Sequence, residues 1–157
     1  VEDHLATIEA MEKAAVTPRA FVLEGWIPSV ARPDLPGAPP DEHDTVEIPL
    51  LRLAWARSGD KGNRANIGVI ARRPEYLPYI WHALSPEVVA ARFRHFLKGD
   101  VERFLLPGIG AINFVLHDVL GGGGVASLRN DPQGKAYAQI LLAAPVMVPQ
   151  SLVDEMS

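Results

Sequence analysis

A chain of 157 residues, 48% of them apolar, can bury one sizeable core, with length left over for an arm. The absence of cysteine excludes a disulfide framework, a thiolate nucleophile and a thiolate metal site. The net charge of −4 is uneven: residues 1–49 carry three Lys/Arg against ten Asp/Glu, residues 50–135 twelve against seven, and the tail two acids. That middle suits a small anionic ligand or an acidic arm. Its cations are scattered and not interleaved with aromatic residues, which argues against nucleic acid.

The chain starts at Val1 rather than Met and is expected to be processed, trimmed or a fragment. No charged-then-apolar leader and no run of eighteen apolar residues occurs, so no membrane partner is expected and the expected location is cytoplasmic. Residues 2–15 read as a short helix, with Leu5, Ile8 and Met11 on one face and acids near its start. Residues 20–23 read as a short strand. Pro28, Pro33, Pro36, Pro39 and Pro40 then make an extended linker. Residues 1–45 are therefore expected to be a helical arm and proline-rich linker, laid on its own domain or on a partner chain. A compact domain is expected over 46–149 and a tail over 150–157.

Within the domain, 46–57 and 65–72 read as strands around the polar stretch Ser58-Gly59-Asp60-Lys61-Gly62-Asn63, and hairpin pairing is the expectation. Pro74 opens a helix, and Ser85-Pro86-Glu87 restarts it as a capped second helix that runs to Lys98-Gly99. A strand follows over 101–106, ended by Pro107-Gly108. Ile112, Val115, Leu116 and Val119 fit a helix over 109–120 that ends at Gly121. The four glycines 121–124 lead into 125–129, which forms a hairpin with a final strand over 136–144; Pro145 and Pro149 close the domain. The order β-β-α-α-β-α-β-β describes an α+β layer of mostly antiparallel strands with helices on one face.

The chemistry concentrates in two glycine-rich stretches. Ser58–Asn63 sets an acid, a base, an amide and a hydroxyl within six residues, and its glycines let backbone N–H groups converge on a ligand. The same residues are also ordinary hairpin-turn chemistry. Ser127, Arg129, Asn130, Asp131 and Lys135 form the second group, either a solvated turn or an anion site. Should the two groups neighbour each other, Lys61, Arg129 and Lys135 surround one anion. Gly122 and Gly123 permit close backbone approach of a ligand or of a neighbouring loop. Neither stretch has the context of a nucleotide fingerprint. His117, four residues after Asn113, is the candidate general base. The five histidines form no metal pattern, so no metal and no cofactor are expected.

Residues 53–68, Val101-Glu102-Arg103-Phe104, Pro107-Gly108, Asn113-Phe114-Val115-Leu116, the glycine run and Ser127–Lys135 together resemble the C-terminal domain of the acyclic terpene utilisation (AtuA) family. The resemblance spans about 48–148. It implies a ferredoxin-like α+β domain that works with a larger AtuA-type N-terminal domain, fused or as a separate chain, in the catabolism of branched acyclic terpenoids through acyl-CoA intermediates. The matched positions are Ser58, Asp60, Lys61, Asn63, Asn66, Arg103, Asn113, Ser127, Arg129 and Lys135.

The expected function is a small subunit of such an enzyme, in a homo- or hetero-oligomer, acting on a carboxylate or acyl-CoA by hydratase, dehydratase or lyase-type chemistry. Asp60, Lys61 and His117 are the expected catalytic residues. Ser58, Gly59, Gly62, Asn63, Asn66, Asn113, Gly122, Gly123, Ser127, Arg129 and Lys135 are expected to bind substrate. The competing expectation is a non-catalytic oligomeric ligand-binding or assembly module.

Overall fold

The computed structural model describes residues 44–156. The helix expected at 2–15, the strand at 20–23 and most of the proline linker lie outside the described residues. Among the described residues six strands are present: β1 (Thr45–Pro49), β2 (Ala54–Lys61), β3 (Arg64–Ala71), β4 (Val101–Leu106), β5 (Ala111–Leu116) and β6 (Pro145–Pro149). Four short helices accompany them: α1 (Leu77–Ala83), α2 (Pro86–Arg92), α3 (Tyr137–Leu142) and α4 (Gln150–Asp154). The α+β class is as expected, and every strand pairing is antiparallel.

The main sheet has the order β2-β3-β5-β4, and β1 pairs with β6 in a separate ribbon. After β3 the chain crosses through α1 and α2 to the far edge, lays down β4, and returns as β5 beside β3. Alternation sets the faces. Ala65, Ile67 and Val69 of β3 and Ile112, Phe114 and Leu116 of β5 are buried on the inner face. There they meet Val89 and Phe93 from α2 and its end, and Tyr137, Ala138 and Leu141 of α3. At ~25 cal/mol per Å2 of apolar surface, each fully buried Leu, Ile or Phe contributes about 1.5–3 kcal/mol.

Several sequence expectations are corrected. The strand expected over 46–57 breaks at a 3-10 turn, Leu50–Arg52, whose Leu50 is fully buried, so that two strands enter two different sheets. The polar stretch expected to be a loop is mostly strand: β2 continues to Lys61, and only Gly62 and Asn63 form the turn. Gly62 alone has φ +67°, the pattern of a type II′ hairpin turn.

The helix expected over 109–120 is strand β5. Its Ile112, Phe114 and Leu116 also alternate, and pairing with strands on both sides decides between the two periods. The hairpin expected from 125–129 and 136–144 is absent. The first part is irregular, and the second contains α3, whose Ala, Gln and Leu favour helix and whose buried residues fall at helical spacing. The final strand is β6, bounded by the prolines that were expected to close the domain. Pro145 pairs opposite Pro49, in a two-stranded ribbon with few ladder bonds to lose. The second helix ends at Arg92 rather than Lys98, and residues 150–154 of the tail form α4.

The expected cap on α2 is in place, and Arg103 anchors the end of α1. Ser85 accepts the Val88 N–H at 3.3 Å, as the first residue before α2 should. Arg103 lies 3.5 Å over the Trp81 ring and donates to the Trp81 and Leu84 carbonyls, at 2.6 and 2.9 Å. It thereby satisfies carbonyls left free at the end of α1. Burial lowers the pKa of this guanidinium from its ordinary value, with Glu87 opposing the shift.

One hydroxyl ties β2 to α3. Ser58 is buried; it donates to the Gly134 carbonyl at 2.6 Å, with the Lys135 carbonyl also in reach at 3.1 Å, and accepts the Ala138 N–H at 3.0 Å. Ser58→Ala leaves buried backbone groups unpaired and is expected to cost about 1–3 kcal/mol in urea unfolding. An unchanged midpoint would show that the clasp carries no stability.

Tyr137 gives a second test. It is buried against Phe93 and Phe96, donates to the Val119 carbonyl at 3.1 Å, and its phenol is pushed up by burial. The unfolded phenol ionises at about pH 10. The contribution is therefore fully present below that pH and is lost as pH rises through the higher folded value. Stability should fall above about pH 10 in wild type and fall less steeply in Tyr137→Phe.

Candidate functional site: the outer face of the main sheet

The strand register places side chains of the outer face in rows across β2, β3, β5 and β4. The first row is Trp55, Ile70, Ala111 and Leu106; the second is Arg57, Gly68, Asn113 and Phe104; the third is Gly59, Asn66, Val115 and Glu102. Lys61 and Arg64 continue the face at the hairpin end, and His117 continues it after β5. Among the described residues the helices pack on the inner face. Trp55, Ile70, Phe104, Leu106 and Val115 stand outside both the core and its packed partners. Trp55 is 54% and Ile70 44% exposed.

Two glycines lie diagonally across the β2–β3 pair on this face, Gly59 opposite Asn66 and Gly68 opposite Arg57. A strand glycine costs stability and leaves bare backbone that another molecule can approach closely. A Cβ on Gly68 would meet nothing nearer than the Arg57 carbonyl at 3.9 Å, so neither crowding nor a positive φ demands glycine there. Around this floor stand the amides of Asn66 and Asn113. The Lys135 ammonium reaches the same place: it lies 3.4 Å from the Cβ position of Gly59, whose next neighbour is Asn66 Oδ1 at 3.8 Å. Lys135 Nζ is also 3.7 Å from Asp60 Oδ1, a part-exposed pair.

At the other side of the face, His117 Nε2 and Glu102 Oε1 are 2.5 Å apart, and both side chains keep some exposure. They are diagonal neighbours on one face of a strand pair, a spacing long side chains bridge. A carboxylate on Nε2 orients the ring and leaves Nδ1 to act on a proton.

Of the residues singled out in the sequence, Gly59, Lys61, Asn66, Asn113, His117 and Lys135 thus share one face. His117 is there because β5 is a strand, not through the helical spacing expected of it. Glu102, Gly68 and Arg57 were given no role from the sequence. The alternation of Asn66, Gly68 and Ile70 could have placed Gly68 beside Asn66. Glu102 lies in the Val101–Phe104 block of the resemblance, but its pairing with His117 had no signal without the β4–β5 register.

The remaining candidates are built into the scaffold at the hairpin end. The Asn63 carbonyl accepts the N–H groups of Val119 and Leu120, at 3.1 and 3.4 Å. Its side chain donates to Asp118 and accepts the Gly122 N–H at 2.7 Å. Gly123 has φ +86° and a Cβ there would sit 2.5 Å from the Gly62 carbonyl, so the glycine run lets this loop press on the hairpin tip. Arg129 donates to the carbonyls of Val119 and Phe96 and lies over Gly121. Ser127 accepts the Arg129 N–H, and Asp131 accepts those of Lys135 and Ala136 ahead of α3. Lys61 Nζ bonds the Asp60 carbonyl at 3.0 Å. Lys61, Arg129 and Lys135 each engage a different partner rather than a common point.

Among the described residues no group of three or more His, Asp or Glu could hold a metal ion, and no helix is long and apolar enough to cross a membrane. No curated protein and no solved structure matches the chain. The family model of the AtuA ferredoxin-like domain matches residues 48–147, a span that takes in every strand of the main sheet and both glycine-rich stretches. The chain belongs to the AtuA ferredoxin-like domain family.

Proposed function

We propose that this domain serves as the small subunit or domain of an AtuA-type catabolic enzyme, with the outer face of its main sheet lining a site for a carboxylate or acyl-CoA substrate. The observation that carries the reading is the shared face: a carboxylate-held imidazole, two amides, an ammonium and a glycine floor all project from one side. In this reading His117 moves a proton next to the substrate carbonyl, and Glu102 stabilises the imidazolium that forms. The amide N–H groups of Asn66 and Asn113 polarise the carbonyl oxygen, and Lys135 holds the anionic group. The floor of Gly59 and Gly68 lets the ligand lie against the strands. Proton removal or addition next to a carbonyl is the common step of hydratase, dehydratase and lyase chemistry. The larger chain of such an enzyme supplies the opposite wall, and the acidic arm of this chain packs on it.

A second reading is a non-catalytic binding or assembly module. It is favoured by Ser58, Asn63, Arg129 and Asp131, whose polar groups are taken up by backbone partners. The two readings part on His117. With the larger AtuA-type chain present, and turnover followed on panels of carboxylates and acyl-CoA thioesters, His117→Gln is expected to lower kcat by ~10²–10⁴-fold. Equal turnover in wild type and variant leaves only the second reading.

Gly68→Ala separates ligand binding from folding. Its methyl has room, so the melting temperature should hold or rise, by an amount corresponding to about 0.5–1 kcal/mol. Binding of a ligand laid against the floor should weaken at least several-fold. A variant that binds as well as wild type would rule out the floor as a contact surface.

A further inference from the structure

A groove of about 510 Å3 opens where the first row of the outer face ends, between the 3-10 turn at 50–52, the start of the 74–76 turn and Met156. Its lining is unusual for this acidic chain. Among the described residues that line it, three are arginines (Arg52, Arg72 and Arg73), two are aromatic (Trp55 and Tyr76), and none is acidic. Arg72 is held in place: its Nε donates to the Leu51 carbonyl at 3.1 Å, and its guanidinium lies 4.7 Å over the Trp55 ring. Among the described residues no hydrogen bond or ion pair takes up the terminal nitrogens of Arg72. Arg52 makes no hydrogen bond or ion pair with the described residues. Arg73 lies 5.9 Å over the Tyr76 ring and has a 3.9 Å contact with the exposed Glu75, a pair that contributes little in water. Tyr76 is buried beneath the groove, whereas Trp55 is 54% exposed, with one face toward Arg72.

We infer that this groove is a binding site for a phosphorylated aromatic ligand of the nucleotide type, its phosphates on the three arginines and its ring on Trp55. Guanidinium forks match phosphate oxygens two at a time, and an exposed indole offers a flat partner for a ring. The volume lies within the range of small-molecule sites. Among the described residues only Arg73 of the three has a carboxylate within 4 Å, and three guanidiniums call for more than one negative charge, which a single ligand carboxylate does not supply. The site is independent of the chemistry proposed for His117: from the Trp55 row to the Lys61 row is ~20 Å at about 3.4 Å per residue.

Titration calorimetry of the whole chain at low salt, with ADP, adenosine and inorganic pyrophosphate as probes, tests the inference. ADP is expected to bind at least tenfold more tightly than either adenosine or pyrophosphate, and more weakly as salt rises. The double variant Arg72→Gln/Arg73→Gln should lose at least tenfold in ADP affinity, as should Arg52→Gln, whose exposed side chain makes no hydrogen bond or ion pair with the described residues. Trp55→Leu should bring ADP down to the affinity of pyrophosphate. Equal ADP affinity in wild type and the arginine variants would overturn the site. Equal affinity of wild type for ADP and pyrophosphate would overturn the role of Trp55.

Discussion

The buried hydroxyl of Ser58 couples the main sheet to everything that follows β5. It donates to the Gly134 carbonyl in the turn ahead of α3 and accepts the Ala138 N–H from inside it, so one side chain joins the sheet edge to the helix. The hairpin that carries Ser58 is itself held at its tip, where the Asn63 backbone and side chain gather four groups of the 118–122 loop. Gly123 then seats against Gly62 at a distance that no Cβ would survive. The long loop from 117 to 136 has little secondary structure of its own. It is ordered through these polar contacts, as buried backbone requires.

Because β2 is a strand, the clasp has a consequence one residue on. Ser58 points into the core, so Gly59 must point out, and the same parity sends Asn66, Gly68, Asn113 and His117 outward. A motif that looks like a single polar loop is therefore divided by alternation into a structural part and a surface part. Ser58, Asn63 and Arg129 hold the fold. Gly59, Asn66, Asn113 and Lys135 furnish the face. This division places Ser58 among the groups that hold the fold and Gly68 on the open face of the sheet.

Much of the architecture was legible before the structure. The capped helix pair after Pro74, the strand at 101–106 and the hairpin around residue 62 each have strong local punctuation: proline at a helix start, a capping serine, Pro-Gly, and glycine at a turn. The segments that misled were those whose local signal was double. Residues 109–120 satisfy the helical and the strand period together, and residues 136–144 are apolar enough for either. In the first case the two neighbouring strands decided; in the second, the helix-favouring Ala and Leu and the Ser58 clasp did.

By itself the sequence determined the α+β class, the family and the two stretches where polar chemistry collects, because these rest on composition, punctuation and local motifs. Only the tertiary structure decided which of those polar residues face one another. Pairing of His117 with Glu102, the approach of Lys135 to Gly59 and the arginine groove around Trp55 all depend on strand register and chain crossing. Register is set by which residues the core can bury at long range, and a one-residue shift would exchange the two faces. No local reading of the chain contains that information.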